Sequence, residues 1–285
     1  MRTGLNIITE MAAINRKNGV NSDGFGRLID MHCHILPGID DGPADIRESL
    51  DMARHAVLDG IHTVVATPHS GNGMYVNSND DICRRVRELN RMLEDAAVQL
   101  VVLPGAEEHI RPDMGHAGMP GNITTINDNG RYVLVEFPFM TVPHGAGEVL
   151  LRMRQEGLTP VLAHPERNVA MQKNIETLYP FIESGCLTQI TAMSLTGELG
   201  EQAMSCAHKM VELHLAHVIA SDAHSAGNRR PGLSSAVAVA AQLLRSWKEA
   251  EKMVIQTPRA IITGQAIRLQ HPIKFRKKKW WFLGE

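Results

Sequence analysis

Residues 29–42 read Ile-Asp-Met-His-Cys-His-Ile-Leu-Pro-Gly-Ile-Asp-Asp-Gly, an apolar run that ends in two histidines two residues apart and is followed by paired aspartates. Side chains alternate between the faces of a strand, so on a strand His32 and His34 share one face while Cys33 packs on the other. Neutral imidazoles beside a carboxylate suit a divalent ion of the zinc, manganese or iron type, and Gly38 and Gly42 let the loop turn back towards it. An edge strand with two exposed histidines and an acidic turn would carry the same letters, because His-x-His is a short motif. The rest of the chain decides between these readings.

Outward from this stretch, short apolar or β-branched runs alternate with helical spacing. Strands are predicted over 27–31, 62–66, 99–103, 131–137, 159–163, 187–191 and 217–220. Helices are predicted over 43–58, 80–97, 145–155, 173–184 and 199–213, then after Gly232 to about Trp247, and finally beyond Pro258. Seven strand–helix units with no Ser/Gly linker and no break in composition predict one α/β barrel domain over residues 27–268. It is preceded by an N-terminal extension over 1–26, with a short helix at Ile7–Ile14, and followed by a basic-aromatic tail over 269–285.

The 285 residues are 44% hydrophobic and 21% charged, which is ordinary for a soluble globular protein. A net charge of -2 and a pI near 6.7 give no bulk electrostatic reason to expect nucleic acid as a partner. The tail is the exception, with five basic residues in Lys274–Lys279 running into Trp280, Trp281 and Phe282, a composition suited to a membrane interface or an acidic partner. The four cysteines lack Cys-x-x-Cys spacing and a secretory context, which points to reduced thiols in a cytoplasmic protein. The first 28 residues hold no long apolar core of the kind a signal peptide needs, and no later stretch reaches transmembrane length.

Every unusual polar cluster falls just past a strand: Thr67-Pro68-His69, Gly105-Ala106-Glu107-Glu108, Glu136, His164-Pro165-Glu166-Arg167 and Ser221-Asp222-Ala223-His224. In a parallel α/β barrel these positions collect at one face. His32, His34, His69, His164 and His224 then offer nitrogen ligands, and Asp41, Glu107, Glu136 and Asp222 offer carboxylates. One transition metal takes about four to six ligands, so this set argues for a multinuclear centre. Three divalent ions would outweigh the carboxylates and attract an anion. A water shared between them would lose a proton near neutral pH and become a nucleophile, and the ions would neutralise charge on a phosphoryl group, so phosphoester hydrolysis fits best. Arg167 and Arg230 are placed to grip a phosphate by bidentate hydrogen bonds, although Arg229 could replace Arg230 and either could form a surface salt bridge. Other signatures are missing: no cysteine has an arginine six residues on, and neither a Gly-x-Ser-x-Gly elbow nor a phosphate-binding Gly-rich loop is present. Of the other histidines, His109 and His144 lie nearest the expected mouth.

The ordered set Asp30-Met-His-Cys-His, Asp40-Asp-Gly, Thr67-Pro-His, Gly105-Ala-Glu, Val135-Glu-Phe, Ala163-His-Pro-Glu-Arg and Ser221-Asp-Ala-His resembles the PHP (polymerase and histidinol phosphatase) superfamily. Within it, residues 28 to about 265 look like the bacterial metal-dependent protein-tyrosine phosphatases encoded with capsule and exopolysaccharide genes. The resemblance implies a distorted seven-stranded TIM-like (β/α)7 barrel and three metals, usually manganese, with iron or zinc as alternatives. It implies dephosphorylation of a partner tyrosine kinase that controls polysaccharide export. By the same resemblance His32, His34, Glu107 and Asp222 hold one metal, Glu107, Glu136 and His164 a second, and Asp41, His69 and His224 a third, with Arg167 and Arg230 on the phosphate. Glu107 matches the Gly-x-Glu pattern, with Glu108 beside it. The extension and the tail depart from the family pattern.

Three other readings compete. A small-molecule phosphatase of the histidinol-phosphate type needs the same metals and a narrower pocket. A non-catalytic factor could use the tail to join a membrane-bound export complex, alone or as an oligomer. A nucleic-acid enzyme is a further option, against which no basic groove is visible outside the tail.

Overall fold

The apolar run at the start of the opening stretch forms strand β1, Leu28–Cys33, with every residue buried. A computed structural model describes residues 28–116, 123–268 and 270–274. The N-terminal extension with its expected helix, residues 117–122 and the tail beyond Lys274 lie outside the described residues.

All seven expected strands are present: β1, β2 (Ile61–Ala66), β4 (Val101–Pro104), β6 (Tyr132–Glu136), β7 (Thr159–Ala163), β8 (Leu187–Thr191) and β9 (Val218–Ala220). Two short ones were not expected, β3 (His69–Ser70) and β5 (Glu107–His109). Each continues the preceding strand past a break. Pro68 has no N–H to give a ladder, and at Gly105 a Cβ would stand 2.8 Å from the Val65 side chain. The breaks divide the parallel strands into two sheets, ordered β1-β2-β4 and β3-β5-β6-β7-β8-β9. At the far side, β1 meets the segment after β9 through one parallel bridge, Cys33 to Ala223, where the His34 N–H donates to the Ala223 carbonyl and the Asp222 N–H to the His32 carbonyl, both at 2.8 Å. The fold is therefore α/β with parallel sheets, and a single bridge rather than a ladder spans this gap among the described residues.

Alternate residues separate two apolar layers. Leu134, Val161, Ala163 and Ala220 pack with Met31 and Tyr132 on one side of the sheets, while Cys33, Val133, Val135 and Leu162 pack under the helices on the other. Parallel strands covered on both faces carry such nearly continuous apolar runs. Helix α1, Ile46–Leu58, starts at Asp45, whose carboxylate accepts the Arg47 and Glu48 N–H groups. Helix α2, Asn79–Asp95, buries Ile82, Val86, Leu89 and Leu93 as its spacing predicts. Helix α3 spans Ala146–Gln155. The single helix expected over 173–184 is broken instead: Asn174 is extended and caps a 3-10 turn, and Pro180 opens a new short helix at Tyr179–Glu183. The long helix expected to reach Trp247 stops at Leu244, where Arg245 turns left-handed at φ 51°.

The start of the strands is closed by the C-terminal helices. Tyr132 donates its hydroxyl to the Gln265 carbonyl at 2.5 Å, Asn129 its amide to the Ile261 carbonyl at 2.7 Å, and Arg131 to the Gly264 carbonyl at 2.9 Å. The other end of the strands, where the polar clusters lie, is left for chemistry.

Candidate metal centre

Both breaks in the strands serve this end. Residues past a break turn out of the apolar layer, so β3 presents His69 and β5 presents Glu107 beside the β1 pair. His32, His34 and Glu107 are at most 1% exposed, which excludes the exposed-histidine reading. Glu107 is the hub: its Oε2 lies 3.0 Å from His69 Nδ1, 3.3 Å from His32 Nε2 and 3.4 Å from His34 Nε2, while Oε1 lies 2.7 Å from His164 Nε2. Asp222 Oδ1 stands 3.4 Å from His32 Nε2 and 3.6 Å from His34 Nε2. Asp41 Oδ1 lies 3.4 Å from His224 Nε2 and 3.5 Å from His69 Nε2, and Glu136 Oε2 is 3.8 Å from His69 Nδ1.

All nine expected side chains thus meet at one place. They fall into four sets whose ligand atoms lie within 4.8 Å of one another: His34, Asp41, His69 and His224; His32, His164 and Asp222; His32, His34 and Glu107; and His69, Glu107 and Glu136. The partition differs from the implied one at His164, which groups with His32 and Asp222, and at Glu136, which groups with His69 and Glu107. Glu108 is excluded from the centre. It follows Glu107 on the strand and faces the other way, accepting from Arg111 and from the Thr124 N–H, each at 3.0 Å.

The outer nitrogens of the β1 histidines are already committed. His32 Nδ1 donates to Gln189 Oε1 at 2.9 Å and His34 Nδ1 to Asp40 Oδ2 at 2.7 Å, leaving both Nε2 atoms to face inward, 3.1 Å apart. Two lone pairs and a carboxylate at this separation repel unless a cation lies among them. Glu107 Oε2 is in fact buried without a hydrogen-bond partner. A divalent ion of the transition series fits this donor set of imidazole nitrogens and carboxylate oxygens.

Electrostatics tell the same story. Burial alone would raise the Glu107 carboxyl, but the imidazoles of His32 and His164 hold it well below the usual range. Burial would lower His34, yet its bonds to Asp40 and Glu107 push it up to about 10. His32 and His69 are likewise raised against the effect of burial by neighbouring carboxylates, Glu107 first among them. Two residues of the centre also hold left-handed backbone, His164 at φ 30° and Asp222 at φ 52°, a conformation that costs a side-chain-bearing residue energy and is kept where function needs it.

Of the arginines expected near the phosphate, Arg167 contacts Asp222, and the second guanidinium at Asp222 is that of Arg229, the alternative to Arg230. Arg229 lies 2.8 Å from Asp222 Oδ2 and also donates to the Asp222 carbonyl at 2.9 Å. The reason is the turn after His224: the His224 and Ser225 N–H groups both donate to the Arg229 carbonyl, which folds Arg229 back over Asp222 and leaves Arg230 exposed. Of the two mouth histidines, His109 Nδ1 stands 3.5 Å from Glu136, whereas His144 is exposed on the loop before α3.

Sequence reasoning missed two supports. Gln189 sits mid-strand in Leu-Thr-Gln-Ile-Thr, fully buried, with its Nε2 unpartnered. Asp30, just before the irregularity in β1, accepts from the Ser221 N–H at 2.9 Å and the His32 N–H at 3.3 Å, and burial still raises its carboxyl to about 6. An amide side chain in the middle of a predicted buried strand was the available signal for Gln189. Asp40 supports the centre as well: besides His34 Nδ1 it accepts the Gly42 and His69 N–H groups.

The family described as capsular polysaccharide synthesis, CpsB/CapC, matches residues 28–263. The tyrosine-protein phosphatase YwqE of Bacillus subtilis is 36% identical over 252 residues, 88% of this chain and 98% of that protein. The putative tyrosine-protein phosphatase CapC of Staphylococcus aureus is 33% identical, over 90% of this chain and 99% of that protein. Among solved structures, a crystal structure described with YwqE and the CpsB of Streptococcus pneumoniae as unique metal-dependent tyrosine phosphatases superposes with a TM-score of 0.83 at 36% identity, covering 88% of this chain and all (100%) of that one. The phosphotriesterase homology protein of Escherichia coli shares the fold alone, with a TM-score of 0.53 at 13% identity over 83% of this chain and 98% of that one.

Proposed function

Since the chain belongs to the CpsB/CapC capsular polysaccharide synthesis family, we propose that it is a metal-dependent protein-tyrosine phosphatase, working in the cytoplasm on a tyrosine kinase of capsule or exopolysaccharide export. The observation that carries this reading is the buried, unpartnered Glu107 oxygen encircled by imidazole nitrogens, with two guanidiniums beside it at Asp222.

In this reading the nine side chains hold three divalent ions, manganese by preference: His32, His34, His69, His164 and His224 with Asp41, Glu107, Glu136 and Asp222. When bound, such ions acidify water and offset charge on a phosphoryl group. The chain's own residues do the rest. Gln189 and Asp40 aim the β1 imidazoles inward. Arg167 and Arg229 present planar donors that match the non-bridging oxygens of a phosphate monoester. The apolar layer below the centre keeps bulk water from its lower side.

The single bridge at Cys33 and Ala223 supports reading the two sheets as one distorted seven-stranded barrel, in which β2–β3 and β4–β5 are interrupted strands. That barrel is one domain over 27–268, with the extension and tail outside it. No described helix is long and apolar enough to cross a membrane, and the basic-aromatic tail is the candidate for peripheral contact.

The deciding experiment measures metal content of protein purified without chelator and manganese-dependent hydrolysis of a phosphotyrosine peptide and of histidinol phosphate. Bound metal and preference for the peptide are expected; no metal and no restored activity would leave only a binding role, and preference for the metabolite would favour a small-molecule phosphatase. In the same assay Arg229→Ala should cost about 100-fold in kcat/KM, as loss of a transition-state donor does, and Arg230→Ala only a few-fold.

A further inference from the structure

Nine large hydrophobic side chains are exposed among the described residues, and four of them, Met74, Val76, Phe139 and Met140, stand on only two loops. Both loops follow strands that deliver candidate ligands: the first runs from β3 and His69 to α2, the second from β6 and Glu136 to α3. Exposed apolar side chains on loops that leave a charged centre are not explained by folding, because they gain nothing from burial where they are.

Two aromatic rings in these loops lie beside the centre's own residues. The Tyr75 ring lies nearly parallel to that of His69, 9° apart with centroids at 6.0 Å. Phe139 is 59% exposed and lines a small cleft with Glu136 and His164. Its loop is held in place: Asn168 donates its amide to the Pro138 carbonyl at 2.8 Å and the Thr141 carbonyl at 2.9 Å, and the Val169 N–H donates to the Phe139 carbonyl at 3.0 Å. Asn168 is the residue after Arg167. The turn that places a guanidinium at Asp222 therefore also fixes the aromatic ring beside Glu136.

The centre is thus polarised. Guanidiniums meet it at Asp222, and apolar side chains border it at His69 and Glu136. We infer that Phe139, with Tyr75 across the lip, forms a platform for the aryl ring of the substrate, making Phe139 a specificity-determining residue. This rests on the phosphatase reading and deepens it. A phosphoryl group held between the arginines and the carboxylate-rich floor directs its ester substituent to the apolar edge. A flat ring there covers Phe139 and gains stacking and burial, whereas a short polar substituent leaves it in water. The exposed methionines continue the apolar edge outward, where adaptable side chains suit the varied residues of a protein substrate.

The test uses the full chain loaded with manganese. Binding of phenylphosphonate and methylphosphonate, which cannot be hydrolysed at the ester position, is measured by titration calorimetry for the wild type, Phe139→Ala and Phe139→Trp. The wild type should favour the phenyl compound by about tenfold, Phe139→Ala should lose most of that margin, and Phe139→Trp should retain it. Kinetics on phenyl phosphate and glycerol phosphate should show the same change in the ratio of kcat/KM values. A wild type that does not discriminate, or an alanine variant that keeps the margin, overturns the inference while leaving the phosphatase reading intact if the phosphotyrosine peptide is still hydrolysed. A wild type that neither binds phosphonates nor hydrolyses the peptide removes both. Phe139 is solvent-exposed and its loop is held through backbone carbonyls, so the truncated protein should fold.

Discussion

The two ends of the strands follow opposite rules. At their start, Asn129, Arg131 and Tyr132 donate to carbonyls of the C-terminal helix and the residues after it, and each polar group named there is satisfied. At their end, buried charges crowd together, Glu107 Oε2 has no partner, and His164 and Asp222 hold left-handed backbone. The first arrangement lowers the energy of the fold. The second gathers buried charges that only one another or a bound cation can balance, which is the division expected between the two faces of parallel α/β barrels.

Removing the hub should affect the two ends most unequally. Glu107→Gln keeps the shape of the side chain but removes the charge shared by the imidazoles. Metal content should fall and activity drop by more than about 100-fold, and chelator-treated protein should melt lower at neutral pH, because the buried imidazoles lose the carboxylate that favours their protonated form. Metal retention measured by elemental analysis would break the comparison at its centre. A smaller effect is expected at Gln189, whose buried Nε2 is unpartnered while its Oε1 orients His32. Gln189→Met should weaken metal affinity by about tenfold without lowering the melting temperature of the metal-free protein, because it removes an unsatisfied amide. Loss of stability with unchanged metal affinity would reassign Gln189 to the fold.

The smallest effect belongs to the sealed end. His217, just before β9, accepts the Thr188 N–H through Nδ1 at 3.0 Å, and burial pushes its pKa down to about 4. The folded state keeps it neutral while the unfolded chain takes up a proton near pH 6.5, so its contribution is complete above pH 6.5 and is lost as pH falls towards 4. His217→Asn retains an acceptor and removes the titration. Acid unfolding followed by circular dichroism should then fall less steeply between pH 6.5 and 4, with metal content at neutral pH unchanged.

Much of this was legible in the chain because apolar runs and strand-end clusters carry it. The seven expected strands follow from their β-branched runs, and the meeting of nine candidate ligands from polar groups that are costly to bury without a purpose. The strand continuations β3 and β5 were not legible, since two or three residues beyond a proline or a glycine carry no periodicity. Arg229 and Arg230 are adjacent and chemically identical, and only the turn closed by the His224 and Ser225 N–H groups distinguishes them. The helix expected over 173–184 failed at Asn174, where a side-chain cap outweighs helical spacing.

The raised affinities of His32, His34 and His69 for protons have a consequence for assembly. In protein stripped by a chelator the neighbouring carboxylates favour the protonated imidazole, His34 above all, so protons take up part of the counter-charge that Glu107 and Asp222 require. For His34 that support is complete below pH 6.5 and lost only as pH rises through about 10. Loading is then an exchange in which each incoming ion expels protons from the same cage, and acidification competes with it directly. Low pH and scarce metal should therefore both work against a loaded centre.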